Sequence, residues 1–283
     1  MVNNFFVLDE DFNSIIKNTL TNEFDVKEIQ NIKFISTGWT NIVYEVKADN
    51  GSYFFRFPRD DFWERTIVKD YEFAKFIKGK TSFKTCELFL GYDKDRPFSV
   101  HKKIEGVPLA EKMNDMTDEE IEKVSKQVAQ FMFELHNIEF KPNEVFSVIN
   151  IGTNLNDFIN ELLDLHVKPE DKVFWKSENF NMRENDYCLV HGDLNTSNIL
   201  LDENDNVSAI IDFGFGGFGN KYFDISRVLS RSYPESFKEE LISSYSEFEK
   251  NDLSIPDVNK NITIWNNIDQ AYINYMRTIG IYE

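Results

Sequence analysis

The sequence predicts an α+β chain of two lobes, a small antiparallel sheet followed by a mainly helical region. Three observations carry that prediction. Apolar alternation of strand type recurs between residues 29 and 58. After Gly106 the apolar residues return at helical spacing instead. Within the helical part, two short apolar runs, 187–190 and 207–211, bracket a polar loop. Strands first and helices afterwards is the pattern of an α+β architecture.

Taken in order, residues 9–20 read as a helix with Phe12, Ile15, Ile16 and Leu20 on one face. Strands are expected over 29–36, 42–47 and 53–58. Ala48-Asp49-Asn50-Gly51 separates the last two, and Asn-Gly there predicts a hairpin. Residues 62–78 read as a helix stopped by Gly79, and two short strands follow near 87–91 and 97–103. Thr117-Asp118-Glu119-Glu120 is a capping box, with Thr117 as N-cap and Glu120 at the third helical position. Ile121, Val124, Val128, Phe131, Met132 and Leu135 continue that helix to His136. Further helices are predicted over 154–166, 222–232, 234–249 and 256–279. The lobe boundary falls in HKKIEG, residues 101–106, dividing the chain into 1–103 and 104–283.

A length of 283 residues is ample for a buried core. The 27 Phe residues indicate a Phe-rich core rather than an aromatic cofactor box. A net charge of −18 argues against nucleic acid and anionic membranes as partners, and permits a cationic substrate or serves solubility alone. Cys86 and Cys188 have no metal-ligand spacing. The start, MVNNFFVLDEDF, lacks the basic and apolar regions of a signal peptide. No segment reaches the ~20 apolar residues of a membrane helix. These features predict a reduced, cytoplasmic setting.

The segment VHGDLNTSNILLDENDNVSAIIDFG, residues 190–214, carries the chemistry. Asp193 is a carboxylate able to orient an incoming hydroxyl and accept its proton. Asn198, five residues on, offers a neutral oxygen to Mg²⁺ without adding charge beside phosphates. Asp212 supplies a hard anionic oxygen just past an apolar run, and Gly214 lets the backbone turn after it. A base and two metal ligands at this spacing are what phosphoryl transfer from a nucleotide requires. His191 is expected to hold the loop backbone rather than to act in catalysis.

This segment resembles the catalytic and metal loops of the aminoglycoside phosphotransferase/choline kinase-like superfamily, small-molecule relatives of protein kinases. Those loops favour H-G-D-x-x-x-x-N followed by I-D-F/W. Gly192 stands where protein kinases have Arg, and no A-P-E follows. The resemblance extends to TGWTNIVYEV (37–46), FRFP (55–58), KIEGVPL (103–109, nearest to the aminoglycoside 2″-phosphotransferases), Leu135-His136, and Gly219 with Asp224. Asn220-Lys221 departs from the usual Asp-Pro.

The resemblance implies a protein kinase-like fold, with a nucleotide-binding lobe over 1–103 and a catalytic, substrate-binding lobe over 104–283. Asp193 would be the base, and Asn198 and Asp212 the Mg²⁺ ligands. Asp224 would brace the catalytic loop by accepting backbone hydrogen bonds, or else serve as a helix N-terminal acid. His136 is expected to be packed and structural. Arg56 would bind the phosphates of ATP or GTP where relatives carry Lys, or pair with Asp60 or Asp61. Glu72 is the expected anchor for Arg56, with Asp70 as the alternative. Gly38, Trp39 and Thr40 would cover the phosphates through an amide nest, Trp39 either shielding them or packing on the sheet.

The implied acceptor is a small hydroxylated, cationic molecule, an aminoglycoside (and hence antibiotic resistance) or a metabolic choline, amino sugar or amino alcohol. Asp115, Asp157, Glu161, Trp175, Glu178, Glu235, Glu239, Trp265, Asp269 and Tyr272 are acids and aromatics available to meet it, none singled out. A nucleotide-binding pseudokinase scaffold is the alternative from another class. A protein kinase is disfavoured by the missing Arg and A-P-E.

Overall fold

The computed structural model describes residues 12–139, 155–177, 187–231 and 233–281. Alternation of the kind expected builds an antiparallel sheet from β1 (Ile29–Thr37), β2 (Asn41–Ala48), β3 (Gly51–Pro58), β5 (Leu88–Asp93) and β6 (Arg96–Lys102), ordered β1-β2-β3-β6-β5. The β2–β3 register pairs Ala48 with Gly51, the tight hairpin predicted from Asn50-Gly51. On β3, Tyr53, Phe55 and Phe57 are buried, while Phe54 and Arg56 alternate onto the other face. Helix α1 (Phe12–Glu23) covers the buried face with Phe12, Ile16 and Leu20; the Phe12 and Phe57 rings lie 4.3 Å apart. Residues 9–11 of the expected first helix lie outside the described residues.

Helix α2 (Asp61–Ile77) follows, capped by the Asp60 carboxylate on the Phe62 and Trp63 amides. It is buried along much of its length. Trp63 joins the cluster under α5 (Leu155–His166) and α9 (Ile255–Thr278), whereas Phe73, Ala74 and Ile77 join the main helical core. That main core is built on α4 (Asp118–His136), which carries the expected capping box. Val124, Val128, Phe131 and Leu135 of α4 share the core with Phe237, Leu241 and Tyr245 of α8 (Glu235–Glu249). The clusters hold Phe side chains throughout, so the Phe-rich composition is a packing feature: each fully buried ring contributes roughly 1.5–3 kcal/mol.

Short elements complete the fold. A second sheet runs β4 (Lys84–Thr85), β10 (Val207–Ile210), β9 (Ile199–Leu201), β7 (Val107–Pro108). The parallel β4–β10 pairing ties the chain after α2 to the strand that leads into Asp212. β8 (Tyr187–Val190) pairs with β11 (Gly217–Asn220). α3 (Leu109–Lys112) and α6 (Val173–Ser177) are single turns. α7 (Tyr222–Val228) is shorter than the 222–232 expected. Its last turn stops because the Ser230 hydroxyl and amide both bond the Arg227 carbonyl, 2.8 and 3.2 Å, in competition with helical hydrogen bonding. Ser232, and Asn154 ahead of α5, lie outside the described residues. Among the described residues no helix is long and apolar enough to cross a membrane, and neither cysteine forms a disulfide.

One buried group is at odds with its surroundings. Lys69 on α2 is 2% exposed, and its Nζ has no hydrogen-bond partner. It lies 5.2 Å from the centre of the Phe158 ring. Burial, aided by repulsion from Arg65, lowers its pKa from 10.5 to about 7. Below pH 7 folded and unfolded chains are both protonated and the folded state bears the full cost of the buried charge. Between about 7 and 10.5 the unfolded chain binds more protons, so stability rises with pH. Lys69→Met is therefore expected to raise the unfolding free energy at pH 7 by about 3–5 kcal/mol and to flatten that rise, read by urea denaturation across pH 6.5–10.

Candidate active site

The polar loop between β8 and β9 is fixed from below by one carboxylate. Asp224, fully buried on α7, accepts the His191 amide at 2.8 Å and the Gly192 amide at 2.9 Å. His136 steadies it from α4: Nε2 lies 3.2 Å from Asp224 Oδ2 while Nδ1 meets the Tyr245 hydroxyl at 2.8 Å. Gly192 has φ +80°, and a Cβ there would lie 2.3 Å from the Phe215 carbonyl oxygen. Neither Arg nor any other side chain fits at that position without moving the segment after Asp212. His191 is fully buried, with Nε2 3.0 Å from the Ile211 carbonyl and Nδ1 accepting the Asp193 amide at 3.3 Å. Its two ring nitrogens thus join the 191–198 loop to the segment that leads into Asp212.

Asp193 emerges from this support into a cavity of about 580 Å³. Its Oδ1 accepts from Arg227 Nε at 2.7 Å. Arg227, on α7, also donates from Nη1 to both oxygens of Asp269, 2.8 and 3.0 Å, and lies 4.4 Å over the Trp265 ring. Burial opposes charge on Arg227, but Asp193 and Asp269 together outweigh it and raise its pKa, so it stays protonated. The role of Arg227 was not legible in sequence, and only its place one helical turn after Asp224 marks it.

Asn198 donates Nδ2 to the Asp193 carbonyl at 2.9 Å, which leaves its side-chain oxygen for another partner. Asp212 sits at φ +68°, a left-handed conformation that Asp tolerates better than most residues and that clusters at functional sites. Its side chain is 41% exposed, to the recess of the cavity rather than to open solvent. Burial there raises its pKa, Arg56 opposes the rise, and Asp70 and Asp193 add to it. A neutral oxygen and a carboxylate crowded by other carboxylates fit Mg²⁺, which binds through one or two carboxylates and completes its shell with water and phosphate oxygens.

Arg56 reaches the same cavity from β3. It pairs with Asp70, lies 3.3 Å from Asp212 and donates Nε to Ser99 Oγ at 3.2 Å. Burial opposes its charge, but Asp70 and Asp212 raise its pKa above the ordinary value. Glu72 is thus not the anchor. Two helical residues differ by about 200° in direction, so α2 aims Asp70 inward and Glu72 along another face. Neither Asp60 nor Asp61 pairs with Arg56: Asp60 caps α2.

Gly38, Trp39 and Thr40 form the β1–β2 turn, closed by the Gly38 amide on the Asn41 carbonyl at 2.8 Å, and all three line the cavity. Trp39 packs against Tyr272 of α9, ring centres 4.8 Å apart, rather than on the sheet. The Tyr272 hydroxyl donates to the Trp39 carbonyl at 3.2 Å, and Arg59 bonds the Gly38 carbonyl at 3.2 Å. The structure therefore gathers Gly38, Trp39, Thr40, Arg56, Asp193, Asn198 and Asp212 around one cavity, with His191 and Asp224 beneath it. Of the acceptor candidates, Trp265 and Asp269 line it. Glu235 and Glu239 instead line an open groove along α8, and Glu178 lies outside the described residues.

Residues 31–254, well over half of the chain, match the model of the phosphotransferase enzyme family. The chain is 31% identical over 113 residues to an EKC/KEOPS complex subunit of Schizosaccharomyces pombe, a match spanning 36% of this chain and 47%, less than half, of that relative. Among solved structures, a type IIIa aminoglycoside 2″-phosphotransferase complexed with GDP and kanamycin superposes with a TM-score of 0.73 at 18% identity, over 94% of this chain and 93% of that one. The macrolide 2′-phosphotransferase of Brachybacterium faecium superposes with a TM-score of 0.63 at 14% identity, over 95% and 93%. These superpositions give the fold, a protein kinase-like arrangement of sheet and helices.

The anchoring of Arg56 is open to direct measurement. Asp70→Ala leaves a buried guanidinium short of its partner and is expected to cost about 3–5 kcal/mol of unfolding free energy. Glu72→Ala is expected to cost under about 1 kcal/mol. Equal losses in chemical denaturation would contradict the assignment.

Proposed function

The chain belongs to the phosphotransferase enzyme family, and from that premise we propose that it transfers the γ-phosphate of ATP or GTP to a hydroxyl group of a small molecule. The observation that carries this reading is the convergence of Asp193, Asn198, Asp212 and Arg56 on one cavity beneath the Gly38–Thr40 turn. Asp193 is the base. With Oδ1 held by Arg227, its Oδ2 is left to accept the hydrogen bond of the acceptor hydroxyl, and then its proton as the oxygen attacks phosphorus. Arg56 meets the phosphates with its guanidinium fork, held in the cavity by Asp70. Asn198 and Asp212 would hold Mg²⁺, which would supply positive charge to offset that of the phosphate oxygens. The Gly38–Thr40 turn covers the donor and limits water at the reacting centre.

The amine-bearing ligands of the related structures, kanamycin, gentamicin and streptomycin, make aminoglycosides the first acceptors to test, with choline, ethanolamine and amino sugars as metabolic alternatives. The absence of any disulfide among the described residues supports a cytoplasmic setting.

Release of nucleoside diphosphate from Mg-ATP and Mg-GTP tests the reading. An acceptor is expected to stimulate it, and Asp193→Asn to reduce the stimulated rate by about 10²–10⁴-fold while nucleotide still binds. Nucleotide binding with no stimulation by any acceptor would favour a pseudokinase scaffold.

A further inference from the structure

Among the described residues, the carboxylates at the acceptor end of the cavity are already engaged. The carboxylates lining it among the described residues are Asp193, Asp212 and Asp269. Each already has a guanidinium partner: Arg227 for Asp193 and Asp269, Arg56 for Asp212. Asp269 receives Arg227 Nη1 on both of its oxygens. Trp265, the indole whose face would suit an ammonium group, has the Arg227 guanidinium over that face. An entering ammonium would have to displace an existing ion pair to find a counter-charge.

One cation lining this cavity is different. Arg231 follows α7, is exposed, and has no hydrogen-bond or ion-pair partner among the described residues. Its electrostatic neighbour is Asp269, whose oxygens are committed to Arg227. An unpaired guanidinium at the mouth of a site is a planar fork of donors, the geometry that matches a carboxylate with two parallel hydrogen bonds.

We propose that the acceptor carries a carboxylate beside the hydroxyl that receives the phosphoryl group, and that Arg231 binds this carboxylate. The proposal rests on the phosphotransfer reading above and names its substrate class: a hydroxy acid, with or without an amino group. Reaction chemistry is unchanged. The hydroxyl oxygen forms a bond to the γ-phosphorus as the bond to the nucleoside diphosphate oxygen breaks, and Asp193 takes the hydroxyl proton. Arg231 contributes to binding and orientation only.

Matched pairs of compounds test it: glycerate against glycerol, gluconate against glucitol, serine against ethanolamine, each with Mg-ATP and Mg-GTP. At least one acid is expected to exceed its partner by about tenfold or more in kcat/KM. Arg231→Ala is expected to raise the KM of that acid by about tenfold without a matching rise in nucleotide KM, with partial recovery in Arg231→Lys. Lys260→Ala, an exposed cation elsewhere on α9, controls for net charge. Where turnover is too slow, calorimetric binding of the three acids to nucleotide-loaded protein and to its Arg231→Ala variant gives the same comparison. The proposal is overturned if neutral or ammonium partners are preferred, if Arg231→Ala leaves acid KM or affinity unchanged, or if no acid binds. Turnover of an aminoglycoside that is indifferent to Arg231 would also overturn it and leave phosphotransfer standing. Loss of nucleotide binding and of all turnover, in contrast, would remove the phosphotransfer reading itself.

Discussion

Everything at this site depends on one buried carboxylate that serves two segments at once. Asp70 pairs with Arg56 from the sheet and accepts the Phe213 amide at 2.8 Å from the residue after Asp212. One oxygen positions a cation and the other fixes a backbone, so β3, α2 and the Asp212–Phe213 segment share a single reference point. The gain is geometric more than energetic. A buried ion pair returns little net stability over an apolar replacement, yet it admits only one arrangement of its partners.

Asp224 plays the corresponding part on the catalytic side, receiving the His191 and Gly192 amides and bearing on His136. His191 then spans the interval between the two posts through Ile211. The polar groups that line the cavity are thereby mounted on supports that are buried and hydrogen-bonded, an arrangement that holds a site's geometry before any ligand arrives.

What the sequence disclosed, and what it withheld, follows from the range of each interaction. The loop from His191 to Asn198 was recognisable because its pattern lies within a few residues, and the capping box at Thr117 for the same reason. The hairpin at Asn50-Gly51 and the long α4 were legible from local turn chemistry and period. Asp70 and Glu72 could not be separated, because a two-residue uncertainty in helix register reverses which of them faces inward. The Asp193–Arg227–Asp269 network joins a loop residue to two helices far apart in the chain and has no local signature. β4, β7, β9 and β11 were missed for another reason: the first three have two or three residues, too few to establish a period, and β11 is Gly-Phe-Gly-Asn, with no apolar run to mark it. Which of the acids and aromatics available to an acceptor line the cavity could not be read from composition, because net charge counts carboxylates without placing them; among the described residues, Trp265 and Asp269 are the two that do.

The contact between Trp39 and Tyr272 links parts of the cavity that have separate tasks. Tyr272 stands one helical turn beyond Asp269 on α9, so the Gly38–Thr40 turn and the cavity wall that carries Asp269 are attached to the same rigid rod. Arg59 strengthens that attachment, reaching Met276 Sδ at 3.0 Å from the strand end beside the turn. A ligand that shifts the turn must therefore work against α9, and one that shifts α9 must work against the turn. Two ligands bound against these two walls would then be thermodynamically linked: whatever factor one applies to the affinity of the other, the other would return.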